Sequence, residues 1–100
     1  MGLFSLFGNK NKKIADFCDR GAVILDVRTR SEYESGAIPG SRHIPLQQIS
    51  IQLSEIKKWN KPVICCCASG MRSGTAAGIL KRNGVEAMNG GGWFSLSKKI

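Results

Sequence analysis

Two kinds of apolar pattern alternate along the chain. Ala22–Val27 and Pro62–Cys67 are near-continuous apolar runs, rich in branched residues and cysteine. Such runs suit strands buried on both faces. Elsewhere apolar residues recur at helical steps of three and four. Ile14, Phe17 and Cys18 predict a short helix over Lys12–Arg20, stopped by Gly21. Leu46, Ile49, Leu53 and Ile56 predict a second, although Ile49, Ile51 and Leu53 also alternate and leave a strand open there. Ala76, Ile79 and Leu80 mark a third, which ends at Asn83-Gly84. Strands that alternate with helices make an α/β fold, a parallel sheet covered on both faces.

Shorter signals fill the gaps. Thr29 or Ser31 can cap a helical turn that runs through Glu34 and ends at Gly36. GlyAlaIleProGlySer, residues 36–41, is turn chemistry, and a short strand Arg42–Ile44 stops at Pro45. Val85–Met88 reads as a last short strand, and Asn89-Gly90-Gly91-Gly92 leads into Trp93 and a helical tail. Trp59 reads as cover for the edge of the core.

Composition narrows the class. The chain has 100 residues, 42% hydrophobic and 22% charged, which is globular rather than disordered. No apolar run approaches the roughly 20 residues of a membrane span. The opening MetGlyLeuPheSerLeuPheGly is short, its positive charges follow the apolar part, and no small-residue cleavage site appears, so it does not read as a secretory signal. Gly2 invites comparison with a myristoylation site, but Leu6 stands where Ser or Thr is wanted. Residues 1–12 read as an extension, either a frayed end or a first strand or turn packed on the domain, with a weak membrane-surface contact as the alternative. Lys and Arg outnumber Asp and Glu by 15 to 7, for a net charge of +8, but they are scattered and not interleaved with aromatics. That predicts a solvated basic surface that attracts anions, with no nucleic-acid platform.

Cysteine usage is the feature that calls for chemistry. The four cysteines are Cys18, Cys65, Cys66 and Cys67, and His43 is the only histidine. Neither zinc-site spacing nor a disulfide framework is present, since neighbours on a strand point apart. The chain reads as a reduced, cytoplasmic protein with no metal and no cofactor. Cys18, Cys65 and Cys66 fit core packing. Cys67 does not, because a glycine-bearing loop and a helix follow it directly. In parallel sheets the ligand site lies beyond the carboxyl ends of the strands. The backbone N–H groups of residues 68–72 can converge on an anion there, helped by the helix N-terminus. A thiol at the start of that loop should become acidic, and its thiolate is the reactive form. Gly70 permits a backbone that side chains resist, and Arg72 closes the loop with a fixed charge.

Three segments together resemble the rhodanese family, in particular its small single-domain members. AspValArg at 26–28 with GluTyr at 32–33 is similar to the family's first strand and turn. GlyAlaIleProGlySerArgHisIleProLeu, 36–46, is similar to its GHIPGAxxIPL signature, with Ala37 in place of the histidine. CysAlaSerGlyMetArgSer, 67–73, matches its active-loop pattern C-x-x-G-x-R-S. The resemblance covers about residues 14–96. It implies a single rhodanese-like three-layer domain over 1–100, with a mostly parallel sheet of four to five strands and helices on both faces. It further implies a monomeric sulfurtransferase that carries sulfane sulfur as a persulfide on Cys67, cradled by Ala68, Ser69, Gly70, Met71 and Arg72. The donor is a small sulfur-containing anion or a persulfide, and the acceptor a thiol or a protein. Ala68 and Ser69 are neutral where some thiosulfate-using relatives carry basic residues, and Trp93 follows the glycines immediately, where many relatives space them apart.

Two other readings stand beside it. Cys66 to Arg72 has the longer C-x5-R spacing of phosphatases and arsenate reductases that share the fold, whereas Gly70 is three residues after Cys67, as the shorter loop requires. A non-catalytic binding module is the third. Asp26 and Arg28, at a strand end near the loop, read as a hydrogen-bonded or ionic brace, with substrate contact as the alternative. His43 reads as structural.

Overall fold

A computed structural model of the chain describes residues 2–100, with side chains from residue 9 onward. It opens with a helix, α1, over Gly2–Asp19. The expected helix at Lys12–Arg20 therefore starts ten residues earlier. The described backbone of residues 2–12 is helical, not a frayed end, strand or turn. A membrane contact by that stretch concerns side chains outside the described ones. Ile14 and Phe17 face inward at 1% and 2% exposure, but Cys18 is exposed, which corrects its placement in the core. The buried stripe of α1 is narrow, and each helical step turns about 100°. Cys18 follows Phe17 by one such step and turns out to solvent just before the helix ends.

The chain then runs β1 (Val23–Asp26), α2 (Arg30–Glu34), β2 (Arg42–His43), a 3₁₀ turn (Leu46–Gln48), α3 (Leu53–Lys58), β3 (Val63–Cys67), α4 (Met71–Arg82), β4 (Ala87–Gly92) and α5 (Trp93–Ser97). The four strands form one sheet in the order β2-β1-β3-β4, and every pair is parallel. Alternation along β3 divides the core between the two faces. Cys65 and Cys67 pack with Leu25, Ile49, Ile56, Ala76 and Leu80, so α3 and α4 cover that face. Ile64 and Cys66 pack with Ile14, Phe17, Ile38 and Leu96, so α1 and α5 cover the other. This is the expected three-layer α/β arrangement. Trp59 is partly buried against the α3/α4 side of the core, with Arg42 over its ring.

Two elements differ from the pattern. The helix expected across 46–56 is broken into the 3₁₀ turn and α3. Ile49 and Ile56 are both buried, whereas Ile51 between them is 80% exposed. The last strand runs past Met88 through the glycines to Gly92, with a register shift where Cys65 and Cys66 pair with Asn89 and Gly91.

Candidate active site

Strand β3 delivers the chain to the carboxyl edge of the sheet, and Cys67 is its last residue. Only three residues separate it from α4, so the connection is a tight reversal. Gly70 makes it possible with φ +109°, a conformation that side chains resist. The reversal aims donors back at the sulfur. The Gly70 N–H reaches Cys67 Sγ at 3.0 Å and the Ser73 N–H at 3.4 Å. The Ser73 hydroxyl lies 3.3 Å from the same sulfur.

A second layer fixes this cup from behind. Asn89 of β4 donates from Nδ2 to the Gly70 carbonyl at 2.9 Å and accepts at Oδ1 from the Gly91 N–H at 2.9 Å. With the amide so oriented, Oδ1 also accepts from the Ser73 hydroxyl at 2.7 Å. The hydroxyl has a single proton, so it serves either Asn89 or the sulfur at any moment. Gly92 presses against the loop: a Cβ there would stand 2.8 Å from the Ala68 carbonyl oxygen.

These contacts set the acidity of three adjacent thiols. Burial alone pushes the Cys67 thiol up. The Ser73 hydroxyl and the backbone N–H groups of Ser73, Gly70 and Ser69 outweigh it, and the thiol ends below its ordinary value. Cys65 and Cys66 have no such donors, and burial pushes each up to about 12. The converging donors meet Cys67, while Cys66 faces the opposite side of the sheet.

Asp26 ends β1, and Arg28 follows it two residues on. Both are almost fully buried, and the Arg28 guanidinium makes a forked pair with Asp26 at 2.8–3.0 Å. It also donates to the carbonyls of Gly36 at 2.7 Å and Glu32 at 3.2 Å, and lies 4.7 Å from the Trp93 ring centroid. One side chain thus ties together β1, α2, the 36–41 turn and α5. His43 has the structural place expected of it: its Nε2 bonds the Arg28 carbonyl at 2.7 Å, and its ring stacks on Tyr33 at 4.5 Å.

Arg72, expected to close the loop with its fixed charge, reaches Glu32 in a two-pronged pair at 2.7 and 3.0 Å. Ser69 contributes its backbone N–H to the cup, and Ala68, Ser69 and Met71 are all exposed, Met71 to 83%. Glu32, Ser73 and Asn89 are the site residues that the sequence reading left without a role. Glu32 and Ser73 sit inside segments already singled out, whereas Asn89 is hidden in what looks like turn chemistry. A cavity of about 640 Å³ lies at the other end of the sheet, where Pro62 and Glu86 lead into β3 and β4. Among the described residues no cluster of histidine, cysteine or carboxylate is placed to hold a metal ion.

Comparison with known proteins places this geometry. A family model described as a rhodanese-like domain matches residues 10–98. The chain is 43% identical over 76 residues to the uncharacterized protein YqhL of Bacillus subtilis, a match covering 75% of this chain and 60% of that relative's own length. It is 38% identical over 72 residues to the thiosulfate sulfurtransferase GlpE of Pseudoalteromonas translucida, covering 69% of this chain and 68% of the relative. Among solved structures, a rhodanese-like domain protein from Staphylococcus aureus superposes with a TM-score of 0.68 at 34% identity, over 76% of this chain and 74% of that one. The relatives include proteins named sulfurtransferases, and the chain belongs to the rhodanese-like domain family.

Proposed function

We propose that this protein is a sulfurtransferase that carries sulfane sulfur as a persulfide on Cys67. The observation that carries the reading is the convergence of the Gly70 and Ser73 N–H groups on Cys67 Sγ. Such donors favour the thiolate, and the Cys67 thiol lies below its ordinary value. It attacks the outer sulfur of a donor. The donor's S–S bond breaks, a new Cys67 S–S bond forms, and the leaving group departs with the electron pair, as sulfite from thiosulfate or as a thiolate from a persulfide. The terminal sulfur then carries the negative charge within reach of the same N–H groups, which stabilise it as an oxyanion hole stabilises oxygen. In the second step a nucleophilic acceptor takes that sulfur, and the electron pair of the S–S bond returns to Cys67. Arg28 and Asp26 take no part in proton transfer; they tie the carboxyl end of β1 to α2, the 36–41 turn and Trp93.

Phosphatase chemistry from Cys66 is disfavoured. That thiol faces the other side of the sheet and is pushed up to about 12, so it stays protonated at neutral pH. The test is steady-state formation of thiocyanate from thiosulfate and cyanide, run beside hydrolysis of an aryl phosphate. Activity should appear in the first assay, vanish in Cys67→Ser and persist in Cys66→Ser. Aryl-phosphate turnover lost in Cys66→Ser but kept in Cys67→Ser would move the nucleophile back one residue and reject sulfur transfer.

A further inference from the structure

Arg72 is the one charged residue that the loop 68–72 supplies, and it is already engaged. Its pair with Glu32 is two-pronged, at 2.7 and 3.0 Å, the geometry by which arginine otherwise grips a bound oxyanion. Glu32 is in turn held in place. The Thr29 N–H donates to its Oε1 at 2.9 Å and the Thr29 hydroxyl at 3.1 Å, while the Glu32 N–H donates to Thr29 Oγ1 at 3.2 Å, a complete capping box on α2. The Arg28 guanidinium is likewise taken by buried Asp26. The loop's outward side chains are neutral, and Met71 among them is 83% exposed. A small dianion arriving at this loop meets a guanidinium whose fork is filled. A donor whose sulfur sits on a carbon chain meets a polarisable methionine instead.

Resting on the sulfur-transfer reading, we propose that Glu32 is a donor-specificity residue: by occupying Arg72 it turns the site away from thiosulfate-like dianions and toward persulfide sulfur borne on a cysteine. Loading from such a donor balances without any other reactant. The Cys67 thiolate attacks the terminal sulfur of the cysteine persulfide, the donor's S–S bond breaks, and the donor leaves as a thiolate with the electron pair. With thiosulfate the same attack expels sulfite dianion, whose charge the paired Arg72 serves poorly.

The test compares loading rates from thiosulfate and from cysteine persulfide, read as the gain of one sulfur atom by intact mass. Glu32→Gln removes the charge but keeps the fold, because glutamine serves a capping box as glutamate does. The ratio of the two rates should shift toward thiosulfate by roughly three- to tenfold, the scale of one partly screened charge. Glu34→Gln makes the same change of net charge on an exposed pair with Arg30 and should leave the ratio where it was. In an Arg72→Gln background, Glu32→Gln should no longer shift the ratio. An unchanged ratio in Glu32→Gln, an equal shift in Glu34→Gln, or a shift that survives the loss of Arg72 each overturn the proposal. A wild-type protein that gains sulfur from neither donor fails the sulfur-transfer reading itself, which is a different result.

Discussion

Cys66 and Cys67 are chain neighbours with opposite chemistry. Strand geometry turns one thiol into a packed face with no donor and the other into the cup of Gly70 and Ser73. Alkylation rate against pH should therefore give a midpoint for Cys67 below 9.0, with Cys65 and Cys66 unreactive in the folded protein. Ser73→Ala deletes one hydrogen bond to the thiolate, a contribution of about 1.5–3 kcal/mol, and should raise that midpoint by about one pH unit or somewhat more. An unmoved midpoint would assign the acidity to the backbone N–H groups alone. The choice of Cys67 over its neighbours is legible in the sequence because Gly70 stands three residues on and a helix follows. The destination of Arg72 is not legible. A motif fixes where an arginine starts, but its long side chain goes to the best carboxylate in reach, and Glu32 lies 40 residues away in the chain. The outward turn of Cys18 escaped for a related reason. Helical spacing fixes which residues share a stripe but not how wide a stripe the sheet covers.

At the scale of elements, the apolar runs gave β1 and β3 within a residue or two, because a strand buried on both faces leaves little room for polar residues. β4 beyond Met88 gives no such signal. Its sequence is asparagine and three glycines, poor strand formers, yet it pairs with β3 at the sheet edge, and a Cβ at Gly90 would stand 2.6 Å from the Ile64 side chain. A Cβ at Gly92 would meet the Ala68 carbonyl oxygen at 2.8 Å, and one at Gly70 would lie 3.4 Å from Gly91 Cα in a backbone with φ +109°. Gly92→Ala should thus push β4 off the active loop, cost about 1–3 kcal/mol in denaturant unfolding, and raise the Cys67 midpoint. Loss of stability with an unchanged midpoint would show that β4 supports the fold but not the cup. The break within 46–56 is not legible, because a 3₁₀ turn and a short helix present Ile49 and Ile56 to the core as one long helix would.

Across the whole molecule, the buried charges and thiols set how stability depends on pH. Asp26→Ala leaves Arg28 almost fully buried without its partner, so unfolding free energy should drop by about 3–5 kcal/mol. Glu32, held to about 2 by Arg72 and by Thr29, has a folded pKa below its unfolded 4.5. Its contribution is complete above that unfolded value and disappears as pH falls toward 2. Cys65 and Cys66 act in the opposite sense. Their folded pKa values of about 12 lie above the unfolded 9.0, so the unfolded chain releases protons first and stability falls as pH rises from 9 toward 12. Two such thiols give a slope of up to about 2.7 kcal/mol per pH unit, and denaturant melts across that range should show it shrink in Cys65→Ala. The alternation that made the α/β class readable from the sequence also places the Cys67 loop at the carboxyl edge of a parallel sheet. Whether that loop carries sulfur is decided most directly by intact mass with peptide mapping, after incubation with thiosulfate and, separately, with cysteine persulfide. The expected result is the gain of a single sulfur atom, mapped to Cys67 and absent in Cys67→Ser. No gain from either donor, or a gain that maps to Cys66 and survives in Cys67→Ser, would contradict it.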